Sequence, residues 1–207
     1  MPATDLPLDA STCTPPLPAA AAQVLEFWFA PSGPEGARPE WFRKDAAFDA
    51  LIGQRFGALM AQALDGGLRD WDLAGPAGGL ARILLLDQFT RNVQRATPGA
   101  FAGDALALAA ARALVENGAD LALPPWRRAF VYMPFEHAED MALQDQALAL
   151  FQRLSDDAPG FEGMLDFAKR HRAVIARFGR FPHRNAILGR ASTAQEIAFL
   201  AQAGSGF

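Results

Sequence analysis

Residues 134–179 read PFEHAEDMALQDQALALFQRLSDDAPGFEGMLDFAKRHRAVIARFG, and their apolar spacing decides the fold class. Leu143, Leu150 and Leu154 recur at helical intervals, and Met164, Phe167, Val174, Ile175 and Phe178 do the same further on. The spacing predicts two consecutive helices. One is opened by Pro134 and reaches about Ser155, and the next runs from about Gly160 to Phe178 with Gly179 closing it. Polar residues interrupt both faces. Extrapolation puts Glu136 on the first inward face with Asp140 beside it, and His171 sits in the middle of the second stripe.

The same periodicity extends in both directions. Upstream, helices are predicted from about Ala19 to Phe29, where Pro31, Gly33, Pro34 and Gly36 break the pattern, and behind Asp45 as N-cap, with Phe48, Ile52, Phe56 and Met60 on one stripe up to Gly66. A third runs from near Pro76 to about Asn92, a fourth from Pro98 to Gly118, and Pro124 and Pro125 open a short fifth. Downstream, Thr193 and Glu196 are spaced as a capping box. No segment keeps a strand alternation beyond a few residues. The expected fold is therefore all-α, about eight helices in antiparallel pairs with short connections. No internal repeat is visible, and the tetratricopeptide signature is absent as a pattern. Residues 1–17, with Pro2, Pro7, Pro15 and Pro16, read as a disordered arm before a single helical domain over 18–207.

Composition narrows the function. Half the residues are hydrophobic and a fifth charged, which is globular, and the net charge of −4 argues against nucleic acid as a partner. Cys13 is the only cysteine, so a disulfide framework or cysteine metal cluster is excluded and a reducing compartment fits. Asp5 and Asp9 precede the first apolar run, unlike a signal peptide, and no stretch reads as long enough to span a bilayer. The expectation is a cytoplasmic protein without a membrane partner.

Candidate chemistry lies where charge enters apolar faces. In the third helix the stripe Leu80, Ile83, Leu84 continues to Asp87 and Arg91, an i,i+4 pair, while Leu85, Leu86 and Phe89 cover the other side. Such a pair is most often a buried structural ion pair, with a functional site as the alternative. His171 equally suits a satisfied core histidine, and Glu136 a charge favouring the dipole at a helix start. Charge is also segregated. Glu136, Glu139, Asp140 and Asp145 form an acidic block, and Lys169, Arg170, Arg172, Arg177, Arg180, Arg184 and Arg190 a basic one. Either the blocks neutralise each other between helices, or Arg180, His183, Arg184 and Asn185, around Phe181 and Pro182, line a pocket for an anion.

Three strings carry a resemblance. Leu86-Asp87-Gln88-Phe89-Thr90-Arg91-Asn92, Tyr132-Met133-Pro134-Phe135-Glu136-His137-Ala138-Glu139 and Arg177-Phe178-Gly179-Arg180-Phe181-Pro182-His183-Arg184-Asn185 resemble the hallmark blocks of an uncharacterised bacterial family, domain of unknown function 924. The likeness runs from about Val24 to Phe199 and includes Phe27-Trp28-Phe29 and Trp41-Phe42. It implies an all-helical, tetratricopeptide-like right-handed array and no established activity. The family pattern usually has proline where this chain has Thr90.

Three function classes follow. A binding module would grip an anionic small molecule or peptide carboxylate with Arg91, Asn92, Glu136, His137, Arg180, His183, Arg184 and Asn185. A small hydrolase or lyase would use His137 or His183 as acid or base, with Glu136 orienting it. A scaffold would use the same residues to lock its helices. No nucleophile elbow or glycine-rich phosphate loop is present. Glu136, His137, Glu139 and Asp140 supply metal-ligand types. However, adjacent helical residues diverge by about 100°, and the two-histidine i,i+4 spacing is missing, so neither metal nor cofactor is expected.

Overall fold

The structure, a computed structural model, describes residues 14–29, 37–202 and 204. The break at Pro31, Gly33, Pro34 and Gly36, Cys13, and residues 1–13 of the expected arm lie outside the described residues. Of that arm, 14–17 are coil, and Leu17 packs on the core.

The chain is all-helical, with no strand among the described residues. Helix α1 spans Ala19–Phe29, α2 Ala46–Leu64, α3 Asp70–Leu73 and α4 Gly75–Ile83. A π-helical stretch, Leu84–Phe89, carries α4 directly into α5, Thr90–Val93. Then come α6 (Asp104–Glu116), α7 (Pro125–Glu136), α8 (Met141–Asp157), α9 (Glu162–Phe178) and α10 (Ala194–Leu200), with short 3-10 turns between several of them. Local chemistry explains many of the ends. Asp45 accepts the N–H groups of Ala47 and Phe48, both at 3.0 Å, to start α2. Gly179, at φ +68°, closes α9, and Thr193 and Glu196 form a full capping box on α10.

The α4–π–α5 rod is the axis of the fold. Every residue from Gly78 to Thr90 is buried, because α1, α2, α6 and α7 surround the rod. Around it Trp28, Phe56, Phe89 and Phe130 form an aromatic cluster, with Trp28 and Phe89 ring centres 5.3 Å apart. Arg38 Nη1 donates to the carbonyls of Phe27 and Trp28, and Trp41 Nε1 also donates to Trp28, which satisfies the exit of α1. Beyond the rod, α7 packs on α8 and α8 on α9. A second small core of Val174, Ile175 and Phe181 lies under α10.

Three expectations are corrected. Pro134 does not open a helix. It lies in the last turn of α7, where it forfeits one backbone bond, and the next helix starts at Met141 behind Asp140, whose carboxylate accepts the Leu143 N–H at 3.0 Å. Glu136 therefore ends a helix rather than starting one, and the helix dipole disfavours its charge there. Phe167 is 43% exposed, and the inward face of α9 runs instead through Leu165, Ala168, His171, Val174 and Ile175. Finally, Pro98–Glu116 is long and apolar enough to cross a membrane by composition, where no such stretch was expected. It folds as a 3-10 turn followed by a 13-residue helix. That helix is about 20 Å long against a bilayer core of about 30 Å, and Ala107, Ala111 and Leu114 pack into the core.

Candidate functional site

The site begins with the π turn. Leu84–Phe89 carries one more residue per turn than an α-helix, so the chain beyond it is rotated by about 100°. The rod lacks a solvent face here, so Asp87 and Gln88 are buried along with their apolar neighbours. Thr90 Oγ1 donates to the carbonyls of Leu86 (2.8 Å) and Asp87 (3.2 Å). This hydroxyl tethers the turn, and the helix continues through Arg91.

Asp87 is fully buried, and its carboxylate has two hydrogen-bond partners and one ion-pair partner, Arg91, which donates to the Asp87 backbone carbonyl. Arg91 Nη1 lies 3.0 Å and His137 Nδ1 2.7 Å from Oδ1, and Gln88 Nε2 lies 2.5 Å from Oδ2. Burial alone would raise its pKa, but Arg91 and His137 outweigh burial and hold the carboxyl well below the usual range. His137 is pushed the other way. Burial and the Arg91 charge together lower its pKa despite Asp87 beside it. The pair is therefore carboxylate and neutral imidazole, with Nδ1–H donated to Asp87 and Nε2 left as the acceptor nitrogen.

A second pair stands next to the first. Glu136 Oε1 lies 2.6 Å from His171 Nδ1, which also lies 2.9 Å from the Phe167 carbonyl. Both neighbours are acceptors, so Nδ1 carries a hydrogen. This contact, not the helix dipole, holds Glu136 at the end of α7. The His137 and His171 ring centres are 6.4 Å apart.

On the far side Asp104 joins two arginines. Arg91 holds it through two bonds, Nη1–Oδ1 at 2.8 Å and Nη2–Oδ2 at 3.1 Å, while Arg184 Nη1 comes only to 3.5 Å. Asp104 reaches them because Gly103 lies against the π turn. A Cβ there would sit 2.1 Å from the Leu86 carbonyl oxygen, so only glycine allows this approach. Arg184 is 6% exposed and lies over the rings of Phe101 (4.7 Å) and Phe181 (4.5 Å). Its buried Nε has no hydrogen-bond partner among the described residues. Burial and the like charge of Arg91 push its pKa down to about 10. Phe181 in turn faces His171 at 5.5 Å and His183 at 5.7 Å. Burial and the Arg184 charge push His183 down to about 4.

The contacts close into a circuit running from His137 through Asp87, Arg91, Asp104, Arg184, Phe181 and His171 back to His137. Of the expected site residues, Arg91, Glu136, His137, His183 and Arg184 meet there. Arg180 is committed elsewhere, to Glu196 (2.7 and 2.9 Å) and the Ala191 carbonyl (2.8 Å). Asn92 Nδ2 is held by Asp49 at 2.7 Å and Asn185 Nδ2 by Ser192 at 3.0 Å. The acidic and basic blocks do neutralise each other in part, through Glu139 with Arg190 and Asp145 with Arg172. Glu139 also accepts the Phe181 N–H at 2.8 Å, which fixes the segment carrying His183 and Arg184. Sequence reasoning missed Asp104 and Phe101 as participants, and placed Phe181 only as a flank of the pocket. Asp104 looks like any acid in the first turn of a helix, and only the Gly103 contact marks it out.

A concavity of about 380 Å³ lies along the outer face of α6, between Ala105 and Glu116, and shares no residue with the circuit. Among the described residues no three His, Cys, Asp or Glu side chains are placed to hold a metal ion.

Comparison with known proteins agrees with the three strings. A structure titled as a protein of unknown function, ATU0120 from Agrobacterium tumefaciens, is similar to this chain with a TM-score of 0.78 and 41% identity. The alignment covers 88% of this chain and 97% of that one. No curated protein matches. Residues 24–204 match a family model described as bacterial protein of unknown function (DUF924), and the chain belongs to that family.

Proposed function

We propose that the chain binds a small organic anion at Arg184, beside Arg91 and the histidines. One observation carries the reading. Among the described residues, a guanidinium buried to this depth keeps a hydrogen-bonding nitrogen without a partner and has one carboxylate within 4 Å, at 3.5 Å. Buried charges are ordinarily paired and hydrogen-bonded, so such a cation suits an anion arriving from outside. A planar fork bounded by two aromatic rings suits a carboxylate or phosphate. The stacking of α7 on α8 and of α8 on α9 supports reading the fold as a tetratricopeptide-like array of helix pairs.

The test is isothermal titration of the full chain with acetate, pyruvate, 2-oxoglutarate and inorganic phosphate, repeated on Arg184→Met. Saturable binding of one of these, lost in the variant, is the expected outcome. Binding that survives Arg184→Met, or no binding of any of the four, refutes the assignment.

A further inference from the structure

We propose that His137 is the general base of an enzyme that abstracts a proton from a carbon next to a carbonyl group, in a small carboxylate anchored by Arg184. This rests on the anion reading above and adds a reaction to it.

The geometry supplies both halves of such a reaction. A useful base needs a fixed tautomer, an acceptor nitrogen within reach of substrate, and a nearby positive charge. His137 donates Nδ1–H to Asp87 at 2.7 Å, which turns Nε2 to the opposite side of the ring. That nitrogen makes no hydrogen bond with any described residue, and the side chain is 17% exposed, so a small molecule can approach it. Arg184 belongs to the same circuit, linked to His137 through Asp104, Arg91 and Asp87. The circuit contains no hydroxyl or thiol nucleophile, and the Thr90 hydroxyl beside it is bonded to two backbone carbonyls. Proton transfer to and from the substrate, rather than covalent attack on it, is the chemistry these groups share.

The step balances without a further reactant. His137 Nε2 takes the proton, the C–H electron pair becomes the carbon–carbon double bond of an enolate, and the negative charge moves to the carbonyl oxygen. Arg184 and Arg91 stabilise that charge. The imidazolium, after exchange with solvent, returns a hydron to the same carbon. Asp87 is a positioning residue, holding the imidazole without touching substrate.

The experiment incubates the full chain in deuterium oxide with pyruvate, 2-oxobutyrate, 2-oxoglutarate or acetoacetate and follows loss of the proton signal beside the carbonyl by NMR. At least one acid is expected to exchange about tenfold or more faster than in buffer with the same concentration of imidazole. His137→Gln should lower the enzymic rate about 10²- to 10⁴-fold, the range for a general base. Asp87→Asn should move the pH at half-maximal rate downward, since Asp87 is what holds the His137 pKa up against burial and Arg91. An acid that binds yet does not exchange overturns the catalytic proposal and leaves the anion reading standing. An exchange rate unchanged in His137→Gln also overturns it. If none of the four acids binds, the catalytic proposal falls; the anion reading falls with it only if acetate and inorganic phosphate also fail to bind. If His137→Gln does not fold, carbethoxylation of His137 by diethyl pyrocarbonate replaces it, and exchange that survives the modification overturns the proposal.

Discussion

Arg180 and Arg184 are four residues apart in one basic block, and the structure treats them in opposite ways. Arg180, with its side chain 30% exposed, has two bonds to Glu196 and a third to the Ala191 carbonyl. Arg184 is far more buried, yet has one carboxylate at the edge of reach and a nitrogen with no partner among the described residues. Selection for stability alone would arrange these the other way round, because an under-paired charge costs most where it is deepest. The Arg180–Glu196 pair is a finished interaction, whereas Arg184 is under-paired, and that difference is what the proposed anion site rests on.

The contrast can be broken in four ways. Asp87→Ala should have the largest effect. It strands Arg91 and removes the acceptor for His137 and Gln88, at about 3–5 kcal/mol for opening a buried pair. Urea denaturation showing a loss below about 1 kcal/mol would mean that the network is slack and the circuit no more than a crowd of charges. Acidification comes next. His137 and His183 have lowered pKa values in the folded chain, so between the ordinary value near 6.5 and the folded value, about 4 for His183, the unfolded chain binds more protons. Stability is then full above about pH 6.5 and falls as pH drops, by up to about 1.4 kcal/mol per pH unit for each histidine. Urea midpoints that are equal at pH 7 and pH 5 would contradict this. Arg180→Met should lower the melting temperature by leaving buried Glu196 without its cation, while titration with anions stays unchanged. The smallest effect on stability belongs to Arg184→Met, which replaces an under-paired buried cation with an apolar chain of similar length. Its denaturation midpoint should stay level or rise slightly while anion binding disappears. A destabilisation as large as that of Asp87→Ala would erase the distinction between the two arginines.

Much of this was legible from local signals. The α1 limits, the Asp45 cap, Gly179 and the Thr193–Glu196 box follow from propensity and capping, which depend on a few neighbours. The Asp87–Arg91 pair follows from i,i+4 spacing, and it survives the π turn. The failures share a non-local cause. A proline in the last turn of a helix and one in the first turn look alike until the next helix is located, so sequence spacing alone puts Glu136 at a helix start when it ends α7. That error concealed its link to His171, which depends on α7 and α9 being neighbours. Apolar spacing alone points Phe167 inward, but α9 turns the smaller Ala168 inward and leaves the Phe167 ring under Arg170 at 4.0 Å. Asp104 entered the site through a glycine contact that no periodicity encodes.

That contact at Gly103 bears on how such a site tolerates sequence drift. The distance between the π turn bearing Asp87 and the start of α6 is set by main chain touching main chain, with no side chain between them to grow or shrink. Core residues elsewhere can therefore exchange size and shape while the spacing of the two carboxylates stays the same. The whole tolerance of that spacing is concentrated in one residue, where the addition of a single methyl group would separate the two acids that Arg91 bridges.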